Sequence, residues 1–165
     1  MKDPAKDIRK AFFDAIVLAL SGSFPNVEVY DNLLLAKDHT PRVLLENQTY
    51  IEDFNKEDFG GVAGIDIDIT DSSLIGAGGN KRIDEIAGTI MAAIQPRKGV
   101  VDLVTNHFKI VTARCEIIGF GSIAQPIAGK YLIRKILRYK LLIVEQGAVV
   151  PPAWLLLNST ILTDF

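Results

Sequence analysis

Asp66 and Asp68 stand two residues apart in the run Ile65-Asp66-Ile67-Asp68-Ile69-Thr70. Residues at that spacing on a strand share one face, and two carboxylates on one face offer the oxygen ligands that Mg2+ and Ca2+ prefer. A small metal-dependent nuclease can be built on such a pair. The same pattern is also the polar side of a half-buried strand, and spacing places no third carboxylate or histidine beside it. The strand-face reading is preferred, and no metal ligand is assigned.

Gly76-Ala77-Gly78-Gly79-Asn80-Lys81 precedes a helical pattern, the arrangement in which backbone N–H groups cradle phosphate. The fuller phosphate-loop pattern is absent, because Lys81 follows Asn80 and precedes Arg82 where a Gly-Lys pair followed by Ser or Thr is needed. His39 and His107 lie in separate polar segments, without a signature that pairs either with Cys115 or a serine nucleophile. Cys115 falls in an alternating strand and reads as a small core residue. The sequence therefore assigns no catalytic residue, cofactor-binding residue or cofactor, and the chain is expected not to be an enzyme. Lys130, Arg134, Lys135, Arg138 and Lys140 form a basic cluster with no acid among them, flanked by the aromatic faces of Tyr131 and Tyr139. Contact with nucleic acid is one reading of that cluster; a charged strand edge or a subunit contact is the other.

These residues depend on the elements that hold them. Asp3 caps and Pro4 opens a first helix, whose apolar positions Ile8, Phe12, Ala15, Ile16 and Ala19 fall on one face, with an end near Ser21-Gly22. Val27 to Tyr30 and Arg42 to Glu46 read as short strands. Gln48 to Phe59, polar and acidic, reads as a surface hairpin or loop. The alternation Ile65, Ile67, Ile69 marks the clearest strand. After the glycine-rich break, Ile83, Ile86, Ala87, Ile90 and Ile94 predict a second helix ending before Pro96. Val100 to Val104, Phe108 to Phe120 and Tyr131 to Val144 are expected strands, although the last also fits a helical stripe through Ile133, Ile136, Leu137 and Leu141. The fold class expected is α+β, two helices packed on a mixed or antiparallel β-sheet, with an extended C-terminal arm.

The division expected is a domain over residues 1–147 and an interaction arm over 148–165. The arm carries Pro151-Pro152, then Trp154, Leu155, Leu156 and Leu157, and finally Ile161 and Leu162. That apolar run is costly to leave in water, so these six residues are the expected contacts with a neighbouring subunit or partner.

At 165 residues and 48% hydrophobic, the chain fills one core and leaves little room for two. Eighteen basic and twenty acidic residues give a net charge of −2, so only a local patch can attract nucleic acid. One cysteine excludes an internal disulfide and fits folding in a reducing compartment. Asp14 interrupts the first apolar stretch, and Glu145, Gln146, Gly147, Pro151 and Pro152 break the last; neither reads as a signal peptide or membrane span.

The helix opening at Asp3-Pro4, the Val-Tyr strand, the strand from Pro41 to Leu45, the Ile65–Thr70 strand, the glycine-rich break and the Ile83–Ile94 helix follow one another in an order that resembles the tail-completion and tail-terminator proteins of tailed bacteriophages. The resemblance covers roughly residues 4 to 146, including Val29-Tyr30-Asp31 and Lys81-Arg82-Ile83-Asp84. It implies a structural virion protein, assembled in the host bacterial cytoplasm, that forms a homo-oligomeric ring at the head-tail connector or tail end. The implied partners are portal, connector or tail-tube proteins, with transient contact to passing DNA through the basic cluster and none with a membrane. The family has no catalytic residues to transfer. The acidic segment from Glu46 to Phe59 and the proline-linked arm depart from its pattern. The alternative is a small metal-dependent nuclease or a nucleic-acid-binding domain.

Overall fold

The computed structural model describes residues 3–31, 41–55, 58–74, 80–98, 100–127 and 130–146. Within them the order is α1 (Pro4–Ser23), β1 (Glu28–Tyr30), β2 (Arg42–Asn55), β3 (Asp58–Leu74), α2 (Asn80–Ile94), β4 (Phe108–Ile127) and β5 (Lys130–Glu145). The five strands form one sheet in the order β1-β2-β3-β5-β4. β1 runs parallel to β2, and every other neighbouring pair is antiparallel. The sheet is therefore mixed, and the fold is α+β. The arm residues 148–165, with Trp154, Leu155, Leu156, Leu157, Ile161 and Leu162, lie outside the described residues, as do His39 and the glycines at 76, 78 and 79.

α1 begins as its sequence dictates. Asp3 Oδ1 accepts the Ala5 N–H at 2.9 Å, and Pro4 occupies the first turn, where its missing N–H costs nothing. The buried faces of α1 (Ile8, Phe12, Ile16, Leu20) and α2 (Ile83, Ile86, Ile90, Ile94) close over one side of the sheet. That side presents Val43 and Leu45 of β2, Ala63, Ile65, Ile67 and Ile69 of β3, and Ile133, Leu137, Tyr139, Leu141 and Ile143 of β5. Tyr139 lies at the centre, wholly buried, with the ring of Phe12 edge-on to it at 5.3 Å. Two ion pairs tie α2 to the same side: Arg82 to Asp71 at 3.7 Å and Lys135 to Asp84 at 2.6 Å.

One stretch differs from the sequence expectation, and two others resolve alternatives it left open. Of the hairpin or loop expected over Gln48 to Phe59, the hairpin forms: β2 runs on to Asn55 and pairs with β3 back to Asp58, because β3 offers backbone partners over its whole length. Val100 to Val104 is not a strand. There Asp102 N–H turns back to donate to the Ile94 carbonyl at 2.9 Å, satisfying one of the orphan acceptors at the end of α2. Tyr131 to Val144 is the strand expected and not the helix its apolar stripe also allowed, since β5 is flanked by β3 and β4 on both edges.

The hairpin bends at a bulge between Glu46 and Thr49, where Asn47 adopts φ 44°, a left-handed conformation that asparagine tolerates. Facing it, β3 uses glycine. A Cβ on Gly61 would stand 2.4 Å from the Ile51 carbonyl oxygen and 2.8 Å from the Tyr50 ring, whereas one on Gly64 would meet the Thr49 hydroxyl at 2.5 Å. Gly61→Ala is thus expected to cost about 1–3 kcal/mol in a urea titration, and Gly64→Ala less, because a hydroxyl can rotate away and a strand carbonyl cannot.

Candidate functional site

The side of the sheet away from the helices carries the residues singled out for chemistry. Strand alternation puts Glu46 of β2, Asp66, Asp68 and Thr70 of β3, and Arg134, Arg138 and Lys140 of β5 on this open face. In register, Glu46, Asp66, Arg138 and Glu116 form one row across four strands.

Asp66 and Asp68 do share a face, but it is not a simple solvated one: they are only 3% and 5% exposed. Arg138 clamps Asp66 in a fork, Nε to Oδ1 at 2.7 Å and the terminal nitrogen to Oδ2 at 2.8 Å, while Asn47 at the bulge donates to Oδ2 at 3.2 Å. Arg134 Nε donates to Asp68 Oδ2 at 2.8 Å and also reaches Glu46 at 3.3 Å. Thr70 donates to the other Asp68 oxygen at 3.4 Å. The guanidinium of Arg138 holds the Asp66 carboxyl below its usual range against the opposing push of burial, with Asn47 assisting. Asp68 and Asp66 hold the Arg134 and Arg138 cations correspondingly firmly. Further along, Arg114 pairs with Glu116 at 3.4 Å. The result is a ladder of paired opposite charges, in which each aspartate is a partner for arginine and not an open ligand for a cation. Among the described residues, no group of three or more His, Cys, Asp and Glu side chains is arranged to hold a metal.

The basic cluster is split by the same alternation. Arg134, Arg138 and Lys140 lie on the open face; Lys135 points to the helix side and is bonded to Asp84. The Lys130 side chain lies outside the described residues. The sequence shows the bases contiguous because it cannot show that β3 brings Asp66 and Asp68 alongside two of them. Lys81, from the glycine-rich segment, stands 3.8 Å from Glu85 within α2.

Cys115 is half-buried beside Tyr139, and burial pushes its thiol pKa up, away from the reactive thiolate. The Tyr139 hydroxyl, also raised by burial, has no hydrogen-bond partner by geometry among the described residues, the Cys115 thiol being a weak neighbour at best. Neither is poised for nucleophilic work.

Asp7 is a structural centre the sequence reading missed. Its carboxylate accepts the backbone N–H groups of Asn106, at 3.0 Å, and His107, at 2.8 Å, across a hundred residues of chain. Burial pushes this carboxyl up, but the N–H groups of His107, Asn106 and Phe108 outweigh it and hold it below the ordinary range. His107 contributes first through its backbone N–H, with a smaller charge contribution from its imidazole in the same direction. The one available signal was an acid on the first turn of an amphipathic helix, next to the apolar Ile8; helix-dipole preference explains that equally well.

α1, the end of α2 and the segment 102–106 also enclose a groove of about 490 Å3 on the helix side of the molecule. Leu18 and Val104 stand at it largely in solvent, 77% and 87% exposed.

No family model matches this chain, and no curated protein matches it. Among solved structures, the chain is similar to one from the "Virion of native gene transfer agent (GTA) particle", with a TM-score of 0.55 and 16% identity, over 88% of this chain and 99% of that one. At that identity the likeness is one of fold.

Proposed function

We propose that the chain is a structural subunit of a phage-like virion, packing with copies of itself into a closed ring at the head-tail connector or the tail end. The observation that carries this reading is the fold shared with the gene transfer agent virion chain over nearly the whole of both molecules. The order of elements on which the tail-terminator resemblance rests agrees with it. In a head-to-tail ring each subunit exposes two different surfaces to its neighbours, so one fold can meet portal on one side and tail components on the other.

The reading is of a protein without catalysis. Guanidinium groups already occupy the carboxylates a nuclease needs, which disfavours the metal-dependent alternative. The DNA-channel role for Lys130, Arg134, Lys135, Arg138 and Lys140 draws little support either, since Arg134 and Arg138 would have to leave aspartate partners to meet phosphate. Among the described residues, no helix is long and apolar enough to cross a membrane. The arm residues Trp154, Leu155, Leu156, Leu157, Ile161 and Leu162 remain the candidates for contact between subunits.

Native mass spectrometry over a concentration series, on the full chain and on one ending at Gly147, tests the ring. The expected result is a discrete oligomer of the full chain that falls to monomer on truncation. A full chain that stays monomeric up to high concentration would overturn spontaneous ring closure.

A further inference from the structure

We infer that the groove between α1, α2 and the 102–106 segment is the seat of the C-terminal arm, with Trp154 and the leucines after it filling the space between Leu18 and Val104. Three observations converge. The first is the groove's mixed lining: Ala11, Ala15 and Ala19 of α1 and Ala93 of α2 line it beside polar residues that include Lys10 and Asp102, and the two large apolar side chains most exposed among the described residues, Leu18 and Val104, both stand at it. Such a patch is normally covered by something. Its volume of about 490 Å3 lies in the range that holds compact organic groups, enough for an indole with a leucyl side chain.

The second observation is where the described chain leaves the fold. Gln146, just after β5, donates its backbone N–H to the His107 carbonyl at 2.7 Å and its side-chain amide to the Thr105 carbonyl at 3.3 Å. Thr105 sits between Val104 and Asn106, which both line the groove. The arm therefore sets out from the groove's own wall. Trp154 follows eight residues later, a span of up to about 26 Å when extended, so the indole can reach any part of the groove without moving the sheet.

The third is the arm's composition. Between Ala148 and Phe165 it carries one charged side chain, Asp164, and a run of four large apolar residues from Trp154 to Leu157. A buried tryptophan N–H seeks an acceptor, and Asp102 and Asp14, the latter paired with Lys10, are among the groove's lining residues. Asp7 fixes the Asn106 end of the wall against α1, so the seat is held in shape before the arm arrives.

In the isolated chain the arm fills its own groove. In a ring the same segment can fill the groove of the next subunit, an exchange that keeps every contact and changes only the chain supplying it. The inference does not require the ring.

Trp154 is the only tryptophan, so its emission reports the arm directly. At concentrations where the full chain is monomeric, emission is expected to be blue-shifted relative to N-acetyltryptophanamide, with acrylamide quenching several-fold weaker. Leu18→Lys and Val104→Lys should each move emission to the red and restore quenching, while far-UV circular dichroism and the thermal midpoint of the chain ending at Gly147 stay unchanged. A free-indole spectrum in the unmodified monomer overturns the inference, and so does a blue-shifted spectrum that neither variant moves. The mass spectra keep the two readings apart. A monomer whose indole responds to the groove sustains the seat without the ring, and a ring whose indole ignores the groove does the reverse.

Discussion

Asp7→Ala should lower the unfolding free energy by about 3 kcal/mol in a urea titration, since hydrogen bonds to a charged group contribute most and the donors left behind are partly buried. The carboxylate ties α1 to the segment before β4: both its oxygens bond Asn106 N–H and one bonds His107 N–H. Without it, those N–H groups lose their acceptor and the 104–107 segment loses its tie to α1. Asp7→Asn keeps a carbonyl oxygen but turns an amide N–H toward donors, and is expected to lose less. The pH dependence separates charge from shape. Because the folded carboxyl lies below its ordinary range, the unfolded chain takes up the proton first as pH falls. The Asp7 contribution is complete above the unfolded value of about 3.9 and is lost as pH falls from there through the folded value. Asp66, lowered chiefly by Arg138, contributes an acid limb of the same sign. Asp7→Asn should therefore make the loss of stability below about pH 4 shallower, by one proton's worth; an unchanged slope would mean that Asp7 is not carrying the charge-dependent part.

What the sequence disclosed, and what it hid, follows from how far apart the partners are. The helices and the Ile65–Ile69 alternation are local patterns; α1 and α2 appear where those patterns place them, and β3 contains the alternation but runs beyond it, from Asp58 to Leu74. β5 was ambiguous because it is an interior strand: Ile133, Leu137 and Leu141 face the core while Arg134, Ile136 and Arg138 are half-covered on the other side, so its apolar residues are too dense for clean alternation. The Val100–Val104 stretch has strand-like composition, but its backbone is taken by the end of α2, which no composition reveals. The candidate site was hidden for the same reason. Asp66 and Asp68 were visible as a pair, yet Arg138 and Arg134 stand 72 and 66 residues away, and only the antiparallel register of β3 with β5 brings them together.

That register is testable by reversal. Asp66→Arg places a cation beside Arg138 at a position only 3% exposed, and is expected to lower the urea midpoint clearly, although the Arg138 side chain is 43% exposed and solvent screens part of the repulsion. Arg138→Asp alone sets a carboxylate against Asp66 and Glu116 in the same row and should also destabilise. The two together restore opposite charges at the same register position, so the double variant should be more stable than the sum of the single changes predicts, a positive coupling across the cycle. Recovery will be incomplete, because Asn47 then donates toward a cation and the arginine must reach from β3 instead of β5. Additive losses would mean that the ladder is incidental to the fold. The outcome also bears on the chemistry. A carboxylate kept for a metal has no reason to be rescued by moving an arginine, whereas an aspartate whose work is to hold β3 to β5 does. Rescue would show that the paired charges hold β3 to β5.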